Sequence, residues 1–340
     1  LGHDDDAPAQ PGKGRLPAPR QVLQDPLPDV LDVADPVAQV VVLDLREDLL
    51  AHPAHGQQIA DRSIHVTAVT IADNRIGQLF VHVGKRPQDL ARRGVDIDPA
   101  GCVPTVGSML GSMLCFMVAN RNDRTKEGTL FIDPGFPVQK QQVKMLGHDY
   151  YSFDVYNYRG KKLRARLESF LETGKVSSLL YSNPNNPAWI CLNEDELATI
   201  GELSRKYDVI VIEDLAYFGM DFRKDYSNPG KPPYQPTIAN YADDYVILIS
   251  SSKIFSYAGQ RIGIMAISDH LFNRSYPDLL RYYSTDRFGH SAIFGALYGL
   301  SAGVAHSVQY GLAALLKAVN DGTIKFRESL TEYAEKANIM

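Results

Sequence analysis

Val176-Ser-Ser-Leu-Leu-Tyr181, Asn193-Glu-Asp-Glu-Leu-Ala-Thr-Ile-Gly-Glu-Leu-Ser-Arg-Lys206 and Val209-Ile-Val-Ile212 follow one another along the chain, and together they decide its fold. The outer two are short apolar runs bounded by turn residues, and they read as buried strands. The middle one reads as a helix. Asn193 can cap it, Glu196 can reach back to complete a capping box, and Leu197, Ile200 and Leu203 share one face. The alternation continues outward, with Thr129-Leu-Phe-Ile132 upstream and Val246-Ile-Leu-Ile249 and Ile262-Gly-Ile-Met-Ala-Ile267 downstream. It predicts an α/β fold, a mostly parallel sheet with helices on both faces. Active sites of such sheets gather at the carboxyl ends of the strands, so chemistry is expected just after each run. The sequence shows no internal repeat.

The chain has 340 residues, enough for a sizeable core and about two domains. A hydrophobic content of 44% with 22% charged residues is that of an ordinary globular protein. The formal charge of -5, without a Lys/Arg run, argues against a nucleic-acid partner. Cys102, Cys115 and Cys191 lack metal or redox spacing, so no metal site is expected; they fit small buried hydrophobes in a reducing cytoplasm. No apolar stretch approaches the length of a membrane span, and the first residues lack the basic-then-apolar pattern of a signal peptide.

Composition changes abruptly near residue 95. All 18 tyrosines lie at or beyond Tyr150, and residues 1–95 hold one Phe, Phe80, and one Glu, Glu47, amid abundant Asp, Val, Pro, His and Arg. So few aromatics leave little to anchor a core. Either residues 1–95 are a genuine Pro-rich extension, or they are translated from a wrong frame or strand. The second is the reading favoured here, because ordinary sequence resumes in mid-domain at Gly94-Val-Asp-Ile-Asp-Pro-Ala-Gly-Cys102; Leu1 in place of Met separately points to an incomplete or misassigned start.

Five stations after these runs can carry chemistry. Thr105-Val-Gly-Ser-Met-Leu-Gly-Ser-Met113 opens an apolar helix, whose free N–H groups and positive dipole end suit a phosphate, although Gly and Ser begin many helices. Ile132-Asp-Pro-Gly-Phe-Pro137 offers Phe136, either to stack on a planar ring or as core. Ser182-Asn-Pro-Asn-Asn-Pro-Ala-Trp189 is a rigid turn by default, yet an amide held on it can donate to a phenolate oxygen. In Val209-Ile-Val-Ile-Glu-Asp-Leu-Ala-Tyr217, a buried Asp214 would need a cationic partner such as a protonated pyridine nitrogen. Otherwise it caps the next helix at the surface, and Glu213 beside it can simply be solvated. The fifth, Ile249-Ser-Ser-Ser-Lys-Ile-Phe-Ser-Tyr-Ala-Gly-Gln-Arg-Ile-Gly263, is the sharpest. Lys253 follows an apolar strand, with Arg261 further on and another strand beyond. A lysine that is desolvated or near cations favours the neutral amine that forms a Schiff base.

From about Gly94 onward these stations, in this order, resemble the class I/II aminotransferase family of fold-type I enzymes that use pyridoxal 5'-phosphate (PLP). The resemblance implies a PLP-binding large domain over residues 96–290, linking helices over 291–340, and a small C-terminal domain that is largely missing. It implies that Lys253 holds PLP and shuttles the proton of substrate Cα, and that Asp214 keeps the pyridine nitrogen protonated. Asn186 and Tyr217 match the donors to the phenolate oxygen, and Phe136 takes the place of the stacking aromatic. Ser108 and Met109 match the residues whose backbone N–H groups meet the phosphate, and Ser250 and Arg261 complete its cup, the guanidinium by bidentate contact.

The implied reaction moves an amino group from an amino acid to a 2-oxo acid in a cytoplasmic homodimer. Two departures accompany this. Ala188-Trp189 stand where the family usually has Thr-Gly, on a loop expected to face substrate. The family's substrate-clamping arginine is expected beyond Met340. The same apparatus serves amino acid lyases and decarboxylases, PLP-binding sensory domains of transcription regulators, and inactive fragments, which remain the alternatives.

Overall fold

The computed structural model describes residues 97–126, 128–224, 226, 233–325 and 328–339, all within the unit Pro53–Met340. Residues 1–95, and with them the reading of a mistranslated or Pro-rich segment, lie outside the described residues.

Seven strands form one sheet in the order β1-β7-β6-β5-β4-β2-β3. They are β1 (Cys102–Thr105), β2 (Gly128–Asp133), β3 (Tyr150–Asp154), β4 (Val176–Ser182), β5 (Ile210–Leu215), β6 (Tyr245–Ser250) and β7 (Gly263–Ile267). β7 runs antiparallel to β1 and β6, and every other pair is parallel. The five expected strands are present. The two unanticipated ones lie at the sheet edges, where short strands need no continuous apolar run. β1 carries Pro104, which an edge strand tolerates because the ladder there has an open side. β3 is only partly buried. β5 also continues past Ile212, so Glu213 and Asp214 are strand residues with alternating directions.

That alternation divides the core. Leu130, Ile132, Leu179, Tyr181, Val211, Leu215, Ile247 and Ile249 bury on one face, against Leu163 and Leu167 of α3 (Lys162–Leu171) and Leu197, Ile200 and Leu203 of α4 (Glu194–Tyr207). Phe131, Leu180, Ile210, Ile212, Val246 and Leu248 bury on the other, against Leu114, Phe116 and Val118 of α1 (Gly107–Ala119) and Val143 of α2 (Pro137–Met145). Each such side chain, fully buried, contributes roughly 1.5–3 kcal/mol by leaving water. Helices therefore cover both faces, which is what strands apolar at every position require.

The capping box that the sequence predicts for α4 is formed. Asn193 Oδ1 accepts the Glu196 N–H at 2.9 Å, and Glu196 Oε2 accepts the Asn193 N–H at 3.0 Å. Glu196 also takes hydrogen bonds from Arg159 Nε at 2.7 Å and Gly160 N at 2.8 Å, which fastens α4 to the loop before α3. Beyond β7 the chain is mostly helical. Leu312, Leu316 and Val319 of the segment His306–Asn320 join the α3/α4 side of the core. Among the described residues no helix is long and apolar enough to cross a membrane. All three cysteines are free and buried.

Candidate active site

The site assembles from the first turn of α1 and from loops after β2, β4, β5 and β6. At α1, Gly107 has φ +70°, a conformation open to glycine at little cost. No side chain caps the turn that follows, so the leading N–H groups, those of Ser108 and Met109 included, are left to an acceptor from outside the helix. A Cβ on Gly107 would lie 2.6 Å from Arg261 Nη2, so the guanidinium rests directly on this backbone. A Cβ on Gly263 would lie 2.9 Å from Ser108 N, and Gly263 pairs in register with Ser250. The β6–β7 pairing thus brings Ser108, Ser250 and Arg261 together, so that a helix N-terminus and a fork of N–H donors lie side by side. Ser250 is buried, its Oγ accepting the Ser252 N–H at 3.1 Å, whereas Arg261 is exposed with Nη1 donating to Ala258 O at 2.9 Å.

Lys253 and Tyr217 are brought together, with Nζ 5.6 Å from the ring centroid. Lys253 is exposed, so the protein itself does not supply the desolvation anticipated for it, although Ser251 and Ile254 of the same turn are buried. Burial raises the Tyr217 phenol, and the Asp214 charge raises it further. Asn186 is half-buried on the loop after β4. Trp189 on that loop packs edge-on against Tyr217 at 5.5 Å, stacks on Phe222 at 5.8 Å, and donates Nε1–H to Met220 O at 3.1 Å. The indole that replaces the family's Thr-Gly is therefore a packing element binding the β4 and β5 loops. Phe136 is 37% exposed at the start of α2, available as a stacking face and not part of the core.

Asp214 is buried and is no surface cap. On β5 it has the parity of Ile210 and Ile212, so it points to the α1/α2 face. Its partners are neutral: Gln139 Nε2 donates to Oδ2 at 2.8 Å and the Ala216 N–H to Oδ1 at 3.0 Å. No cation pairs with it among the described residues. Burial pushes its carboxyl up to about 6, against the lowering effect of these two donors. Each oxygen keeps a lone pair for a further donor.

Glu213, which the sequence left as solvated, points to the opposite face and is fully buried. It accepts from Tyr181 Oη at 3.1 Å, Asn183 Nδ2 at 3.4 Å, Ile238 N at 3.1 Å and Thr237 Oγ1. Burial raises it from 4.5 to about 7 despite these donors. A raised native pKa contributes stability that is full below 4.5 and lost as pH rises through about 7. Glu213→Gln removes this titration. The stability of the variant relative to the parent should improve by about 3 kcal/mol from about pH 4.5 to about pH 8. Urea melts that give a pH-independent difference would disprove the assignment.

One contributor was absent from the sequence reading. Gln139 is buried like Val143, four residues on along α2, so a polar residue on the core-facing stripe was the available signal. Gly107 and Gly263 stand in the first and fifth stations, but the close approaches they permit, to Arg261 and to Ser108, exist only in three dimensions.

Solved structures place this sheet and its loops in the PLP-dependent transferase fold. An aspartate aminotransferase from Thermotoga maritima superposes with a TM-score of 0.57 at 18% identity, over 85% of this chain and 68% of that one. The N-succinyldiaminopimelate aminotransferase from Mycobacterium tuberculosis does so with a TM-score of 0.54 at 20% identity, over 84% and 67%. The family itself is shown by sequence. The model for aminotransferase class I and II matches residues 88–339, and the chain belongs to that family. The match begins ahead of Gly94.

A probable aspartate aminotransferase of Methanocaldococcus jannaschii is 22% identical over 64% of this chain and 54% of its own length. The mitochondrial kynurenine/alpha-aminoadipate aminotransferase of Rattus norvegicus is 35% identical over 30% of this chain and 23% of its own. The chain thus spans about half the length of the first of these relatives and less of the second.

Proposed function

We propose that this chain binds PLP on Lys253 and transfers an amino group from an amino acid to a 2-oxo acid. Membership in a family that uses PLP supports the reading, and the observation that carries it is Asp214. A buried carboxylate facing two neutral donors, with no cation among the described residues, lacks a counter-charge. A protonated pyridine nitrogen has the required charge and a single donor, and one lone pair on Asp214 is free for it. The grouping of Ser108, Met109, Ser250 and Arg261 suits a phosphate dianion, since it combines a helix N-terminus, a hydroxyl and a guanidinium.

PLP, when bound, supplies an electron-withdrawing ring that stabilises negative charge at the substrate α-carbon. Lys253 Nζ would hold the cofactor and would carry the proton from the substrate α-carbon to the cofactor's C4' carbon. Asp214 would keep its ring nitrogen protonated. Tyr217 Oη and Asn186 Nδ2 would donate to its phenolate oxygen, and Phe136 would supply an aromatic surface beside it. Residues 96–290 form the binding domain in this reading, the partners are small amino and 2-oxo acids, and the working form is a cytoplasmic homodimer.

Incubation of the PLP-loaded protein with an amino donor alone tests the reaction class. Pyridoxamine phosphate and the matching 2-oxo acid are expected in equal amounts. Ammonia release without pyridoxamine phosphate would establish lyase chemistry instead.

A further inference from the structure

Helix α2 reaches both the first turn of α1 and the acid of β5. Phe136 stands at its N-cap, Gln139 reaches Asp214, and Gln142, one turn further, donates Nε2–H to Met109 O at 2.8 Å while its Oε1 accepts from Ser112 Oγ at 2.7 Å. Spacing of three puts these residues on one side of the helix. Gln142 thereby braces the first turn of α1, and Gln139 does the same for the acid of β5.

We infer that Gln139 is a positioning residue that orients Asp214 and keeps it ionised for a cationic ring nitrogen. Its Nε2 and the Ala216 N–H hold one carboxylate oxygen each, which fixes the plane of the group from both sides. An amide is suited to this because it stabilises the anion without supplying a charge. A Lys or Arg there would satisfy Asp214 and compete with the ligand. Gln139 Oε1 is buried with no hydrogen-bond partner among the described residues, so the bond from Nε2 to Asp214 is what engages this amide. Two titratable neighbours, Cys115 and Tyr217, feel the Asp214 charge. Cys115 on α1 has its thiol raised by burial first and then by the Asp214 charge, and Tyr217 is raised in the same order. Gln139 is the largest of the contributions that lower the Asp214 carboxyl.

The inference rests on the proposed PLP chemistry, but its test does not depend on cofactor alone. Carbon-13 labelling of aspartate lets the Asp214 carboxyl be titrated by NMR in the cofactor-free full chain. Gln139→Met should move the Asp214 midpoint upward by about one pH unit. Gln139→Glu, nearly isosteric, should move it further in the same direction. Gln139→His, which restores an N–H donor, should bring it back toward the parent. PLP affinity, followed by absorbance titration, should fall about tenfold in the Met variant, in step with that shift. A merely structural Gln139 would lower the melting temperature and leave the midpoint in place. Should Gln139→Met not fold, Gln139→Glu decides. Unmoved Asp214 midpoints in the folded variants would overturn the inference. Failure of the parent chain to take up PLP would sink the proposed function instead, with the carboxyl titration still deciding for Gln139.

Discussion

Lys253→Ala is expected to leave the fold intact and to abolish the covalent absorbance of bound PLP. Amino-group transfer should slow by about 10²–10⁴-fold from the lost proton shuttle alone. The separation of these effects follows from placement. Lys253 is exposed and contacts the Tyr217 ring only across 5.6 Å, so truncation costs no more than about 1 kcal/mol of stability. No hydrophobic partner is uncovered and no buried donor is orphaned. Circular dichroism and urea melts check the fold, an absorbance scan checks the attachment, and single-turnover kinetics check the rate. A variant that keeps the parent's absorbance band would refute the assignment of Lys253. Sodium borohydride should fix the cofactor to the parent chain and leave the variant unlabelled.

Asp214→Asn should raise stability while it lowers activity. In the cofactor-free chain burial holds this carboxyl at about 6 against an ordinary 3.8. The native carboxyl therefore binds its proton more tightly than the unfolded one. Its stability contribution is full below 3.8 and lost as pH rises through about 6. An amide carries no such penalty, and its new N–H₂ can meet the unpartnered Oε1 of Gln139 by a rotation of that side chain. The variant should gain about 1–3 kcal/mol relative to the parent at about pH 8, with little of that gain at about pH 3.5. The reaction should slow by about 10²–10³-fold, the usual scale for removing one electrostatic stabiliser of the transition state. Equal pH dependence of the two melts, or an undiminished half-reaction, would remove Asp214 from the site. The residue is retained, on this account, at a cost to the empty fold.

Much of this architecture is legible along the chain. The interior strands are continuous apolar runs because each is covered on both faces, and Asn193 with Glu196 spells out the start of α4 before any packing is known. The stations after the strands are legible for a related reason: loops at the carboxyl ends of a parallel sheet can hold polar residues that the strands cannot. The edge strands β1 and β3 are not legible, since one face or side of each lacks the neighbours that force an apolar run.

Residue type and order thus determined the interior strands, the capped start of α4, the family, and which lysine, aspartate and arginine are candidates for the site. Only the tertiary structure showed that Glu213 is buried as deeply as Asp214, on the opposite face of the sheet. Two adjacent acids look alike in sequence, but strand alternation sends one to Tyr181, Asn183 and Thr237 and the other toward Gln139 on α2. Nor could sequence show that Trp189 packs on Tyr217 and Phe222, or that Arg261 lies on the backbone of Gly107. Those contacts join segments far apart in the chain, and the physical reason is the same in each case. Burial and close approach depend on which elements the sheet sets side by side, a property of the folded arrangement and not of any one stretch.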